Sequence, residues 1–233
     1  YWTYDFALPM IMLHTLYHHT NRQLLDWLRI CPRRQITTLD THDGLGVVDV
    51  ADLMSREDID RTIEGLYAKG SNVKRIYSGE AYQNLDIYQV NCTYYSALED
   101  NDDSYLAARA IQFFCPGIPQ VYYVGLLAGR NDIELVERTK NGRDINRHGY
   151  SLDEIEQEIQ RPVVQRLLRL MTFRSYYPAF DGAFKIEPSP EDQVVLTWRK
   201  GKHTTTLHVD LNHYTTRITY YDPTVDARKP FTV

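Results

Sequence analysis

The sequence predicts an α/β protein whose strands and helices alternate in the order of a βα barrel, followed by a small antiparallel β domain. Three observations carry that expectation. Strand-like aromatic and β-branched runs alternate with amphipathic stretches through about residue 180. The run Thr37-Thr38-Leu39-Asp40-Thr41 leads straight into His42-Asp43-Gly44, as a barrel strand would deliver a pair of polar residues to its C-terminal mouth. After Phe180 the pattern shortens to brief apolar segments divided by Gly, Pro, Asn and Asp.

In order along the chain, residues 1–8 are aromatic-rich and strand-like, and Pro9 stands where a helix begins, a place that needs no backbone N–H. That helix runs apolar through 10–17. Leu24, Leu25, Leu28 and Ile30 form a second stripe ending before Pro32, and 36–39 supply the next strand, which completes βαβ order. Ser55 with Asp58 starts a helix whose apolar face is Ile59, Ile63, Leu66 and Tyr67, with Gly70 as its stop. The stretch 71–90 lacks periodicity and reads as an irregular part of an excursion over about 44–98 on the barrel mouth. Asn101 caps a buried helix carrying Tyr105, Leu106, Ala108, Ala110, Ile111, Phe113 and Phe114, broken by Pro116-Gly117. Apolar on both faces, 118–125 reads as a parallel strand covered by helices. The span 125–150 reads as a long functional loop. Ser151 and Glu154 make a capping box, and Pro162 restarts a helix that buries Val163, Val164, Leu167, Leu168, Leu170 and Met171. Strands at 184–186, 194–198, 204–211 and 216–221 then form the β domain, so the expected division is 1–180 and 181–233.

Composition narrows the function. With 233 residues, 43% of them hydrophobic, the chain can bury the core of one large or two modest domains. A net charge of -5, from 26 basic and 31 acidic residues spread along the chain, offers no positive field for a phosphate backbone, so no nucleic-acid partner is expected. No apolar run approaches the roughly 20 residues that span a bilayer. Tyr1-Trp2-Thr3-Tyr4-Asp5 also lacks the regions of a signal peptide, so a soluble chain with no membrane partner is expected. Cys31, Cys92 and Cys115 are odd in number and lack CxxC spacing, which suits reduced cytoplasmic thiols. The chain has no initiator Met and opens as if inside a strand, which reads as a fragment.

Residue by residue, several readings compete. Asp43-Gly44 alone suits a turn dipeptide. Asp86 suits a solvated loop carboxylate, Tyr88 a packing aromatic, and Arg143 a surface pair with Asp144 or Asp132. His14 and His18 have zinc-binding i, i+4 spacing beside His19, but no third ligand stands at a sensible spacing and solvent-facing histidines explain the pattern at least as well. No metal is expected. The segment from Gly125 to Gly129 and Arg130 lacks the Lys-Ser/Thr of a nucleotide loop, so no cofactor is indicated.

Four stretches together resemble one family. They are Tyr4-Asp5-Phe6-Ala7-Leu8-Pro9; Thr38-Leu39-Asp40-Thr41-His42-Asp43-Gly44; Asn84-Leu85-Asp86-Ile87-Tyr88-Gln89; and Pro119-Gln120-Val121-Tyr122-Tyr123-Val124-Gly125 with Gly142-Arg143-Asp144-Ile145-Asn146-Arg147-His148. They are similar to the C-terminal half of the sucrose phosphorylases, transglycosylating members of the α-amylase-type glycoside hydrolases. The likeness covers nearly the whole chain, dense through residue 180 and thinner in the β domain. The His-Asp pair is general to amylase-type enzymes, whereas the Asn84–Gln89 loop is particular to the phosphorylase branch. The fold so implied is the C-terminal part of a (β/α)8 TIM barrel followed by the antiparallel β domain.

The resemblance implies reversible phosphorolysis of sucrose to glucose 1-phosphate and fructose by a retaining double displacement, with phosphate intercepting a glucosyl-enzyme and no cofactor needed. Asp43 matches the carboxylate that stabilises the transition state, and His42 a neighbour hydrogen-bonded to the same glucose. Asp86 and Arg143 match a clamp on the outer glucose hydroxyls; Ile87, Tyr88 and Gln89 match acceptor-site residues. The family's attacking aspartate and acid/base glutamate lie upstream of the stretch matching Tyr1, so the chain alone is expected to be inactive and poorly folded, with exposed strand edges. Gly149 stands where relatives commonly have Tyr. Two alternatives stand beside this reading. One is a sister enzyme acting on sucrose 6'-phosphate or glucosylglycerate, against which Tyr88 speaks; the other is a non-catalytic carbohydrate-binding remnant. The family is often dimeric, so a homodimer is the implied assembly.

Overall fold

The fold is described from a computed structural model for residues 1–68 and 89–233. Strand β1 (Thr3–Asp5) lies parallel to β2 (Gln35–Thr37), with Tyr4 opposite Ile36, and helices α1 (Leu8–His18) and α2 (Arg22–Ile30) make the crossover between them. Helix α1 is largely apolar and is buried throughout 8–16, His14 and Thr15 included. Its entry is fixed by Asp5, whose carboxylate accepts hydrogen bonds from Leu8 N and Trp27 Nε1, each at 3.0 Å. One buried side chain thus ties β1, α1 and α2 together, and burial pushes its carboxyl above the usual carboxylate range against the pull of those bonds.

A two-stranded antiparallel ladder, β3 (Leu45–Gly46) with β4 (Gln89–Val90), pairs Leu45 with Val90. Gln89 and Val90 are therefore paired strand, not part of an irregular stretch; Gly70 lies outside the described residues. Between them come a 3-10 turn at Val48–Val50 and helix α3 (Arg56–Ala68), begun by Ser55, whose Oγ accepts from Asp58 N at 3.1 Å. Helix α3 packs on α1, and this corrects the expectation for its histidines. His14 is 2% exposed and hydrogen-bonds Thr62 Oγ1 at 2.9 Å, because α3 covers the face it was expected to turn to water. After α4 (Tyr94–Ala97), Asn101 caps α5 (Asp102–Phe114), its Oδ1 accepting from Ser104 N at 2.9 Å. Within α5 the residues from 104 to 114 are all buried.

Strand β5 (Ile118–Pro119) adds to β2 in parallel, with Ile118 opposite Ile36, so the order is β1-β2-β5. It is far shorter than the strand expected over 118–125, and Ile118 is exposed. Tyr123–Leu126 instead form a helical turn, α6, and the apolar residues Val124, Leu127 and Ala128 are buried along one side of it. A short apolar run satisfies either period, and here the helical one prevails. The supposed loop 125–150 also holds α7 (Ile133–Thr139), capped by Asp132 Oδ1 accepting from Leu135 N at 2.8 Å, and a 3-10 turn at Gly142–Asn146. At seven residues α7 is too short to show a period. Helix α8 (Leu152–Glu158) opens on the expected Ser151/Glu154 capping box. Helix α9 (Pro162–Tyr176) buries Val163, Val164, Leu167 and Leu170, whereas Leu168 and Met171 are partly exposed at the edge of its stripe.

Beyond a 3-10 turn at Pro178–Asp181 comes an antiparallel sheet of β6 (Ala183–Ile186), β7 (Gln193–Lys200), β8 (His203–Asp210), β9 (Thr215–Asp222) and β10 (Ala227–Phe231), ordered β10-β9-β8-β7-β6. Strand β10 was not among the strands expected from the sequence; it is an edge strand, where the missing N–H of Pro230 is tolerated. Val194, Leu196, Trp198, Leu207, Val209 and Ile218 form the covered face, packed over α5. Trp198 Nε1 donates to Phe114 O at 2.8 Å and Tyr177 OH to Tyr221 O at 2.7 Å, so the sheet is bonded to helix ends as well as packed on them. The arc of parallel strands backed by helices, followed by an antiparallel sheet, is the predicted architecture: part of a barrel with a C-terminal β domain.

Candidate active site

Beyond β2 the chain leaves the sheet through a short polar turn. Thr38 Oγ1 donates to Asp40 O at 2.6 Å, and Asp43 N donates to Thr41 Oγ1 at 3.2 Å. Threonine hydroxyls thereby satisfy backbone groups released from the ladder and fix the direction in which residues 42 and 43 leave. The Asp43 carboxylate lies between two partners. Its Oδ1 is 3.2 Å from Arg143 Nη1, and its Oδ2 is 3.5 Å from His42 Nε2. Arg143 thus reaches Asp43 rather than standing as a surface partner of Asp144 or Asp132. The Asp43 side chain is 36% exposed and His42 68%, so the carboxylate is open to solvent on one side and held by cationic or hydrogen-bonding groups on the other.

Arg147 belongs to this cluster and was absent from the sequence-based candidates. Its Nη2 is 3.8 Å from the same Asp43 Oδ1, its Nε donates to His42 O at 2.9 Å, and its Nη1 is 3.5 Å from Asp144 Oδ1. The signal that could have found it is its place in the Gly142–His148 stretch, four residues after Arg143. Asn146 adds a neutral tie, Nδ2 donating to Thr41 O at 2.8 Å. The 3-10 turn at Gly142–Asn146 is therefore stitched to the 41–43 turn at several points, and Asn141 starts it by accepting from Arg143 N at 3.2 Å.

Gln89 stands in β4 beside this turn. A Cβ built on Gly44 would meet Gln89 Cβ at 3.1 Å and Val90 O at 2.8 Å, so Gly44 is where the β3–β4 ladder presses against the turn that carries Asp43. Buried Oε1 of Gln89 accepts no hydrogen bond among the described residues. Asp86, Ile87 and Tyr88 lie outside the described residues.

On the far side of Arg147 a cleft of about 940 Å³ is lined by Asp132, His148, Tyr150 and Arg161 among others. His148 Nδ1 lies 2.5 Å from Asp132 Oδ2, and its Nε2 3.4 Å from Glu154 Oε1. The hydrogen bond to Asp132 raises the imidazole above its ordinary value, against the opposing effect of burial. Among the described residues no group of three or more His, Cys, Asp or Glu side chains is arranged to hold a metal ion, and no helix is long and apolar enough to cross a membrane.

Comparison with known proteins gives the following. The chain is 52% identical over 229 residues to a sucrose phosphorylase of Streptococcus mutans serotype c, a match covering 97% of this chain and 48% of the relative. It is 51% identical over 220 residues to a glucosylglycerol phosphorylase of Marinobacter adhaerens, covering 94% of this chain and 46% of the relative. The crystal structure of sucrose 6F-phosphate phosphorylase from Thermoanaerobacter thermosaccharolyticum superposes with a TM-score of 0.92 at 46% identity, covering 100% of this chain and 48% of that one. The chain spans about half the length of the curated relatives it matches. No family model matches it.

Proposed function

We infer from this chain's membership of the phosphorylase group of the α-amylase-type family, over the half of those enzymes' length that it spans, that the whole protein transfers a glucosyl unit from an α-glucoside to inorganic phosphate. Sucrose is the proposed donor, with fructose leaving and glucose 1-phosphate formed. The observation that carries this reading is the Asp43 carboxylate held 3.2 Å from Arg143 and 3.5 Å from His42 at the C-terminal end of a parallel strand.

The chemistry asked of that cluster is specific. When the bond between anomeric carbon and fructose oxygen lengthens, positive charge spreads over the anomeric carbon and the ring oxygen. Asp43 is proposed to stabilise that charge while accepting hydrogen bonds from the ring hydroxyls, with His42 bonding the same glucose. A carboxylate whose orientation is set beforehand by a guanidinium needs little reorganisation as charge develops, and preorganised contacts of this kind are worth roughly 2.7–4 kcal/mol each. Arg143, with Asp86, is proposed to grip the outer hydroxyls, the planar fork suiting two adjacent oxygens. Ile87, Tyr88 and Gln89 are assigned to the acceptor side. The nucleophile and the acid/base are expected from the part of the relatives that this chain does not span.

A second donor has support of its own. The structural neighbour superposing at 0.92 acts, by its name, on sucrose 6F-phosphate, and a relative at 51% identity on glucosylglycerol, so overall identity does not separate acceptors. The deciding measurement is phosphate-dependent release of fructose or its counterpart by the whole protein, compared among sucrose, sucrose 6'-phosphate, glucosylglycerol and glucosylglycerate. Sucrose is expected to give the highest kcat/KM. Preference for a phosphorylated donor would replace sucrose by its 6'-phosphate; no glucose 1-phosphate from any donor would leave a carbohydrate-binding remnant, tested by glucose binding that Asp43→Asn weakens.

A further inference from the structure

Helix α5 carries three polar side chains, Tyr105, Arg109 and Gln112, on one stripe in the interior, each fully buried. Every one of them bonds to the end of a strand or to the segment that follows it. Arg109 Nη2 meets Asp40 Oδ2 at 2.7 Å, three residues before Asp43, and neither side chain is more than 2% exposed. Gln112 Nε2 donates both to Thr37 O at 3.0 Å and to Gln120 O at 2.8 Å, bridging β2 and the continuation of β5 where their own ladder ends. Tyr105 OH donates to Gly125 O at 2.5 Å, and Arg109 binds the helix-borne partners together, its Nε 2.9 Å from Tyr105 OH and its Nη1 3.0 Å from Gln112 Oε1. The rings of Tyr105 and Tyr94 lie 5.0 and 6.0 Å from the guanidinium carbon.

The two segments so gripped are those from which the candidate site springs. Residues 37–40 lead into His42-Asp43, and residues 120–125 lead toward the turn bearing Arg143. Asp43 and Arg143 are 100 positions apart in the chain, and the turn bearing Arg143 follows β5 by way of α6 and α7, so the separation of the ends of β2 and β5 bears on how the two meet. Two hydrogen bonds from one glutamine side-chain amide to backbone carbonyls span the two strand ends, and a buried ion pair fixes the root of the Asp43 turn. A hydrophobic helix face would bury as well but would aim no backbone group at a partner, since the hydrophobic effect is non-directional; directed bonds in a dry interior hold particular atoms at particular distances.

We propose that the buried stripe Tyr105–Arg109–Gln112 is a positioning device that holds Asp43 and Arg143 in register by bonding both strand ends at once. Its catalytic consequence rests on the glucosyl-transfer reading above, whereas its mechanical consequence does not. Both are tested in the whole protein with Gln112→Met, which keeps the volume and removes the bridging amide, and Arg109→Lys, which keeps the charge and removes the fork. Hydrogen–deuterium exchange is expected to quicken in peptides covering 40–46 and 142–148 together in either variant. Exchange that changes only within α5, or not at all, overturns the proposal whether or not the protein is an enzyme.

On the kinetic side, Gln112→Met is expected to lower kcat by about 10- to 100-fold with donor KM within about threefold, the scale of a roughly 1 Å misplacement. In an Asp43→Asn background that loss is expected to vanish, because the carboxylate being positioned is gone. Equal losses in both backgrounds overturn positioning through Asp43 in favour of a general structural effect. Wild-type turnover in Asp43→Asn alone refutes the glucosyl-transfer reading instead, and the exchange result still decides the proposal.

Discussion

Replacing Gly125 by alanine puts a methyl group where the structure has no room. The new carbon would lie 2.0 Å from Asp40 Oδ2 and 2.3 Å from Arg109 Nη2, the first 1.4 Å short of the 3.4 Å at which ordinary contact begins. Both atoms belong to an ion pair with side chains 0% and 2% exposed, so neither can swing into solvent. If the pair yields, an uncompensated buried charge results, at a cost of about 3–5 kcal/mol. If the backbone yields instead, overpacking costs about 1–3 kcal/mol and strains the Tyr105 bond to Gly125 O. Destabilisation of at least about 1 kcal/mol is expected either way, and about 3–5 kcal/mol if the ion pair gives. In urea, with a slope of about 1–3 kcal/mol/M, the midpoint should fall by at least about 0.3 M. Gly149→Ala is the matched comparison: nothing stands within 4 Å of its Cβ, and its φ lies outside the left-handed region. That change should stabilise by about 0.4–1 kcal/mol through the unfolded chain. Unfolding of the whole protein followed by fluorescence measures both, and a Gly125→Ala midpoint at or above that of Gly149→Ala would refute the close approach described here.

Three further outcomes are expected. Asp43→Asn should lower turnover by two or more orders of magnitude while leaving the unfolding midpoint nearly unchanged, since the side chain is 36% exposed; steady-state kinetics beside a melt decides it, and unaltered turnover removes the assignment. Burial pushes the His14 imidazole down to about 4, with nearby His18 adding to the effect, so the folded state resists its protonation. Stability should therefore be held above pH 6.5 and be lost as pH falls from there toward 4, and His14→Gln should flatten that decline; parallel slopes in the two proteins would exclude His14 as its source. Asn101→Ala removes the acceptor for Ser104 N and should cost about 1 kcal/mol in chemical denaturation, with Asn101→Asp close to wild type.

Local chemistry wrote much of the fold into the sequence. Asn101, the Ser151/Glu154 box, Pro9 and Pro162 mark helix starts that depend on groups a few residues away, and all four mark helices in the structure. The alternation of β7 and β8 was equally legible, because one face of that sheet is buried and the other is not. By itself the sequence determined the α/β order, the β domain and, through the Thr38–Gly44 and Gly142–His148 stretches, the family likeness.

Tertiary structure decided what no local window contains. Whether 118–125 became strand or helical turn depended on what those apolar residues met, and β5 stopped after two residues while Val124, Leu127 and Ala128 turned onto the core. His14 became a buried hydrogen-bonded side chain only because α3 lies over α1. Arg147 joined Asp43, and Arg143 chose Asp43 over its sequence neighbour Asp144, through a turn stitched to residues 41 and 42 from more than 100 positions away. A side chain's identity is local information, but its partner is selected by which strand ends are held together, and that is settled by long-range bonds such as those from Arg109 and Gln112.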